Sequence, residues 1–161
     1  MTDSTRAIRD HLERVLDWED AHVGFDKAAD GIPPDRRGVR AAGFEHSPWE
    51  LIEHIRIAQE DILQFCVSAH YEEKKWPDEH WPASPAPPSD AAWDASIEAY
   101  RRDRVALQQL AANTDIDLTA TVPNGETQTY LREILLVADH NAYHIGQIVL
   151  VRKLLGCWPA A

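Results

Sequence analysis

The chain has 161 residues, 44% of them apolar and 27% charged, with a formal net charge of −11 at neutral pH. That mixture matches one folded domain, here residues 1–161, rather than a disordered chain or one built on membrane spans. The acidic balance argues against a phosphate-backbone partner, since the densest basic groups (Arg36, Arg37 and Arg40; Arg101, Arg102 and Arg104) each have acids nearby.

No run of apolar residues free of charges approaches the ~20 of a membrane span. The first residues, Met1 to Arg6, lack the basic head and apolar stretch of a secretion signal. A cytoplasmic protein with no membrane or nucleic-acid partner is the expectation. Two cysteines, Cys66 and Cys157, are too few and too far apart for a disulfide scaffold or a CxxC site, and are expected to be reduced.

In chain order, apolar residues at Ile8, Leu12, Val15, Leu16 and Val23 predict a first helix over about 3–29. Gly31-Ile32-Pro33-Pro34 ends it, and a polar stretch leads to His46. The second helix has a complete start signal: Ser47 to cap, Pro48 at the first helical position, and Glu50 to close the box. Leu51, Ile55, Ala58, Ile62 and Phe65 carry it to about Tyr71.

Seven prolines and tryptophans follow Lys75, including Trp76, Pro77, Trp81 and Pro82. Such a segment is stiff and aromatic, and is expected to pack on the domain. Ser89 or Asp90 caps a third helix that turns Trp93, Ile97, Tyr100, Leu107 and Ala111 inwards and ends near Asn113. After a partly extended stretch and the turn Val122-Pro123-Asn124-Gly125, a fourth helix runs from about Thr127–Thr129 to Leu155, stopped by Gly156. One apolar stripe on it is Leu131, Leu135, Ala138, Ala142, Ile145 and Val149, while Val137, Ile148 and Val151 lie well away from that stripe. A helix apolar on more than one side is central in its bundle or shared with a second copy, so a homodimer is expected.

His140 and His144, four apart, project from adjacent turns of one helix face, the spacing at which two imidazoles reach one metal ion. Val137 and Val151 share that face, so the rings point towards an apolar region where each nitrogen needs a partner. His54, on the apolar stripe of the second helix, completes a set of three. Three neutral histidines leave at least one coordination position open, the pattern of a catalytic rather than a structural site. Asn141 stands where a zinc protease would carry glutamate, which excludes hydrolysis by an H-E-x-x-H helix. Glu133, Asp139 and Gln147 are candidates to orient the ligands or to act as a base. His22 is a candidate for the cavity wall, though a solvated role fits it better, and His46 belongs to a loop. His11, His70 and His80 read as surface groups. The residues that do chemistry on a substrate are not legible.

Three stretches together resemble the DinB-like family of the DinB/YfiT-like metalloenzyme superfamily. They are His46 to Asp61 (HSPWELIEHIRIAQED), the Trp76-Pro77 to Trp81-Pro82 loop, and Asp139 to Ile148 (DHNAYHIGQI) with Arg152 and Leu155-Gly156 beyond. The resemblance implies an all-α fold, a four-helix bundle of up-down-down-up topology, often dimeric. It further implies a divalent metal ion, zinc or nickel, on His54, His140 and His144, and a small-molecule substrate. Some members are transferases or isomerases that use a low-molecular-weight thiol (mycothiol, bacillithiol or glutathione). The chemistry of an open site also admits a metal-dependent hydrolase. A non-catalytic reading stands beside these: a stress-related bundle that binds a metal, ligand or partner.

Overall fold

A computed structural model describes residues 3–159. Its helices are α1 (Asp3–Val15), α2 (Phe25–Ala29), α3 (Pro48–Val67), α4 (Asp90–Ala112) and α5 (Tyr130–Leu154), with a 3-10 turn at Pro34–Arg36. Among the described residues there is no strand, only an isolated bridge between Thr121 and Thr129.

The expected first helix is two. Val15 ends α1, and a stretch of turns and bends precedes α2, which starts after Gly24. There the Gly24 amide donates to the Glu19 carboxylate (3.2 Å), and a Cβ on Gly24 would lie 2.6 Å from that same oxygen. Apolar spacing alone extended the helix because Val23 falls on its period, while the polar run from Asp17 to His22 has little to bury.

The start of α3 forms as expected. Ser47 Oγ accepts from the Glu50 amide (3.1 Å), and the Glu50 carboxylate accepts from the Ser47 amide (2.8 Å). Arg40 also pairs with Glu50, which holds that carboxyl below its ordinary range despite the burial that opposes ionisation. The helix stops at Val67, four residues short of Tyr71, with the Ser68 amide bonded to the Gln64 carbonyl. Thr129 caps α5 by accepting from the Arg132 amide.

Polar side chains fix how the long helices meet. Ser96 donates to Glu53 (2.6 Å) and Gln59 donates to the Tyr100 carbonyl (2.8 Å), so α3 and α4 advance together. Arg9 donates to the Ala111 carbonyl (2.8 Å) and Gln108 to the Glu13 carbonyl (3.3 Å), so α1 runs against α4. Two buried arginines serve helix C-termini, where unpaired carbonyls and the helix dipole favour a cation. Arg9 does this at the end of α4. Arg152 does it for α2, donating to the Ala28 carbonyl (2.6 Å) and to Cys157 O (3.0 Å), with Trp158 against its guanidinium.

The buried face of α5 carries Ile134, Val137, Asn141, His144, Ile148 and Val151. The first apolar stripe is turned to one side, with Leu135 exposed and Ala138 and Ala142 half-buried, while Ile145 of that stripe is buried in the core. The helix meets α3, α4, α2 and α1, which explains apolar residues over much of its girth. It is also, among the described helices, the one long and apolar enough to cross a membrane by length and composition. Its packing against four others is that of a core helix.

Candidate metal centre

His54 is held in the second turn of α3 and is 1% exposed; His144, in α5, is 8% exposed, and His140, one turn earlier, is half-buried. One nitrogen from each comes within 4.8 Å of the others. Nε2 of His140 lies 3.1 Å from Nε2 of His54. The expected trio is therefore brought together.

The outward nitrogens show which atoms face inwards. His54 Nδ1 contacts the backbone carbonyl of His80 at 2.7 Å, and His144 Nδ1 contacts Gln147 Oε1 at 2.6 Å. Both partners are acceptors, so Nδ1 carries the proton in each ring and Nε2 turns a lone pair to the cluster. Converging lone pairs repel unless a cation or a shared proton lies between them. Ligand nitrogens on one zinc ion, each at about 2.0–2.1 Å, stand roughly 3–3.5 Å apart, and the His54–His140 pair has that separation. The donor set fits a divalent metal ion.

Burial keeps the rings neutral, as ligands must be. Desolvation pulls His54 down to about 3, opposed by its bond to the His80 carbonyl and reinforced by the neighbouring imidazoles. Desolvation and His140 take His144 down to about 4, and desolvation lowers His140 as well.

The Pro/Trp loop supplies one wall. Trp81 lies parallel to His54, with ring centroids 3.8 Å apart, and His46 stacks on Trp81 at 4.2 Å. Trp76, from the same loop, is 70% exposed and only tilts towards His54, so the expectation that this segment packs holds for Trp81 and not for Trp76. Trp49 and Trp93 are buried in the core against each other.

Of the residues proposed to orient the ligands, Gln147 bonds to His144, and the Tyr143 hydroxyl accepts from Gln147 in turn (3.2 Å). Asp139 acts on His140 through its charge. Glu133 is buried and pairs with its neighbour Arg132. His22 bonds to Val23 O and is exposed. His80 is not a surface group: its carbonyl orients His54, and its half-buried ring stands 3.5 Å from the Asp61 carboxylate. Nothing in the spacing of His80 announces a backbone carbonyl's role. The position three residues after Pro77 and just before Trp81 is the available signal.

Cys66 is free and buried, its thiol pushed up to about 12 by desolvation, and Cys157 is free and half-buried. A family model described as the DinB superfamily matches residues 17–148, a span that includes all three histidines. No curated protein and no solved structure is significantly similar to the chain.

Proposed function

This chain belongs to the DinB superfamily, and from that premise we propose that its histidines hold one zinc or nickel ion open to a small-molecule substrate. The observation that carries this reading is the convergence of nitrogens from His54, His140 and His144 within 4.8 Å of one another. The reading takes the whole chain as one four-helix domain in up-down-down-up order. The parallel advance of α3 and α4, and the pairing of His54 with His144 and Gln59 with Asn141 in opposite order along α3 and α5, support that topology. Leu136, Tyr143, Leu150 and Leu154, exposed along one side of α5, support a homodimer. Free cysteines and an acidic surface accord with a cytoplasmic protein.

The reaction we propose is thiol-dependent transfer or isomerisation. A divalent ion with an open position favours the thiolate of a bound thiol. The chain's own residues hold the imidazoles for that task. The His80 carbonyl and Gln147 fix two of the rings by their Nδ1 protons, and Trp81 covers the face of His54. Cys66 is a poor nucleophile, since burial keeps it protonated, which accords with a reacting sulfur on a cosubstrate.

The test is an assay of zinc- or nickel-loaded protein with glutathione, mycothiol or bacillithiol and a chloronitrobenzene electrophile. Wild type turns over, and His144→Ala, which removes a ligand, is slower by at least roughly a hundredfold, the upper end of what loss of a mere supporting group costs. Equal rates in the two proteins end the catalytic reading.

A further inference from the structure

A second cavity lies beside α5, away from the three histidines. Where the expected first helix breaks, the chain swings through Asp17–Gly24 and leaves a cavity of about 390 Å³ beside α5. That volume falls in the range of roughly 300–1,000 Å³ typical of small-molecule sites. His54, His140 and His144 are not among the residues that line it. Leu135, Ala142 and Ile145 of α5 form one wall, and Leu16, Trp18 and Phe25 face them. The space exists because α5 presents alanines, at 138 and 142, where longer side chains would close it.

Two buried polar side chains meet this apolar space. Tyr100 is 1% exposed and Asn141 5%, and both line the cavity. Asn141 Nδ2 donates to Gln59 Oε1 (2.9 Å) and to the Tyr100 hydroxyl (3.3 Å). The Tyr100 oxygen is thus used as an acceptor and keeps its own proton to give. Its ring is stacked on Phe25, with centroids 3.7 Å apart, so the hydroxyl is held in place. A buried donor without an acceptor is costly, and a ligand acceptor removes that cost. Asp17 and Asp139 also line the cavity, which disfavours an anion.

We propose that this cavity is a binding site for a neutral, flat, apolar molecule with one hydrogen-bond acceptor, which accepts a hydrogen bond from the Tyr100 hydroxyl. Two fused rings are the right scale, given that a cavity of roughly 150 Å³ accepts one benzene. None of the three histidines lines the site, although Asn141 also contacts His140 (3.5 Å), and failure of this site leaves the metal reading untouched.

Coumarin, a neutral bicycle with one carbonyl, is the probe, and naphthalene is its counterpart without an acceptor. Titration calorimetry of the full chain should show one saturable coumarin site. Tyr100→Phe keeps the ring stack and removes the hydroxyl; it should weaken coumarin roughly tenfold, the scale of one hydrogen bond, and leave naphthalene unchanged. Ala142→Phe fills the space and should abolish binding of both, with the thermal melt confirming that each variant is folded. The proposal is overturned if coumarin does not saturate in the millimolar range. It is equally overturned if both substitutions leave its affinity unchanged, or if His54→Ala removes binding.

Discussion

Asn141 donates its side-chain amide to Gln59 Oε1 across 2.9 Å, and so ties α5 to α3 one residue beyond His140. Gln59 passes the tie on to α4 through the Tyr100 carbonyl. All of these groups are buried, so their bonds count mainly through the penalty for leaving one unmade. Asn141→Leu strands the Gln59 oxygen and should destabilise the protein by about 1–3 kcal/mol in urea unfolding. A loss below about 0.5 kcal/mol contradicts this, because surface-like substitutions fall in that range.

Trp81 makes a similar prediction for the metal centre. The indole lies flat on His54 and restricts both its rotation and its access to water. Trp81→Ala removes a half-buried ring that packs against the main core, and should lower the melting temperature of the metal-free protein by a few degrees. Zinc affinity, read by chelator competition, should fall roughly tenfold, the lower end for loss of a supporting group around a metal. Unchanged affinity denies the loop its positioning role.

The three histidines also set a pH dependence. Each begins at 6.5 in the unfolded chain; folding lowers His140 and takes His144 to about 4 and His54 to about 3. Between those limits the unfolded state binds protons that the folded cluster refuses. Their contribution is thus complete above pH 6.5 and drains away as the pH falls towards 4 and 3. Metal-free wild type should lose several degrees of melting temperature between pH 7.5 and 5.5, above the range where carboxylates titrate. The His54→Gln, His144→Gln double variant should lose distinctly less over the same interval. Parallel losses rule out the cluster as the cause.

Arg152 is 1% exposed and donates hydrogen bonds to the carbonyls of Ala28 and Cys157. Arg152→Met keeps much of the stem and removes those donors, and should cost about 2–3 kcal/mol by denaturant unfolding. Arg152→Lys should recover only part of the loss, because one ammonium cannot reproduce the guanidinium fork. Full recovery by lysine means that charge alone, not geometry, matters there.

What the sequence made legible were the features with short-range causes. The capping box at Ser47 and Glu50, a cap for α4 at one of the two expected residues (Ser89) and the i, i+4 placement of His140 and His144 on α5 are local patterns that the structure carries; the cap at Thr129 is legible only as a helix start. His54 could be added because its helix face was apolar and a pair awaited a third ligand. The break after Val15 was not legible, since period-3.6 spacing continues through it to Val23. Nor was the true inner face of α5, because both of its stripes are apolar and only the partners decide between them. The roles of the His80 carbonyl and of Arg9 and Arg152 depend on which chain ends and backbone atoms come near, and that is a tertiary property. The resemblance carried the family, and the helical fold with it, but it named no substrate.

Elemental analysis of protein purified without an affinity tag, then dialysed against zinc or nickel, decides whether His54, His140 and His144 hold a metal ion. Wild type should carry about one equivalent of metal per chain, and a folded His54→Ala or His140→Ala variant near none. Wild type that stays folded yet takes up no stoichiometric metal, or variants that bind as much as wild type, would contradict metal binding by these three histidines.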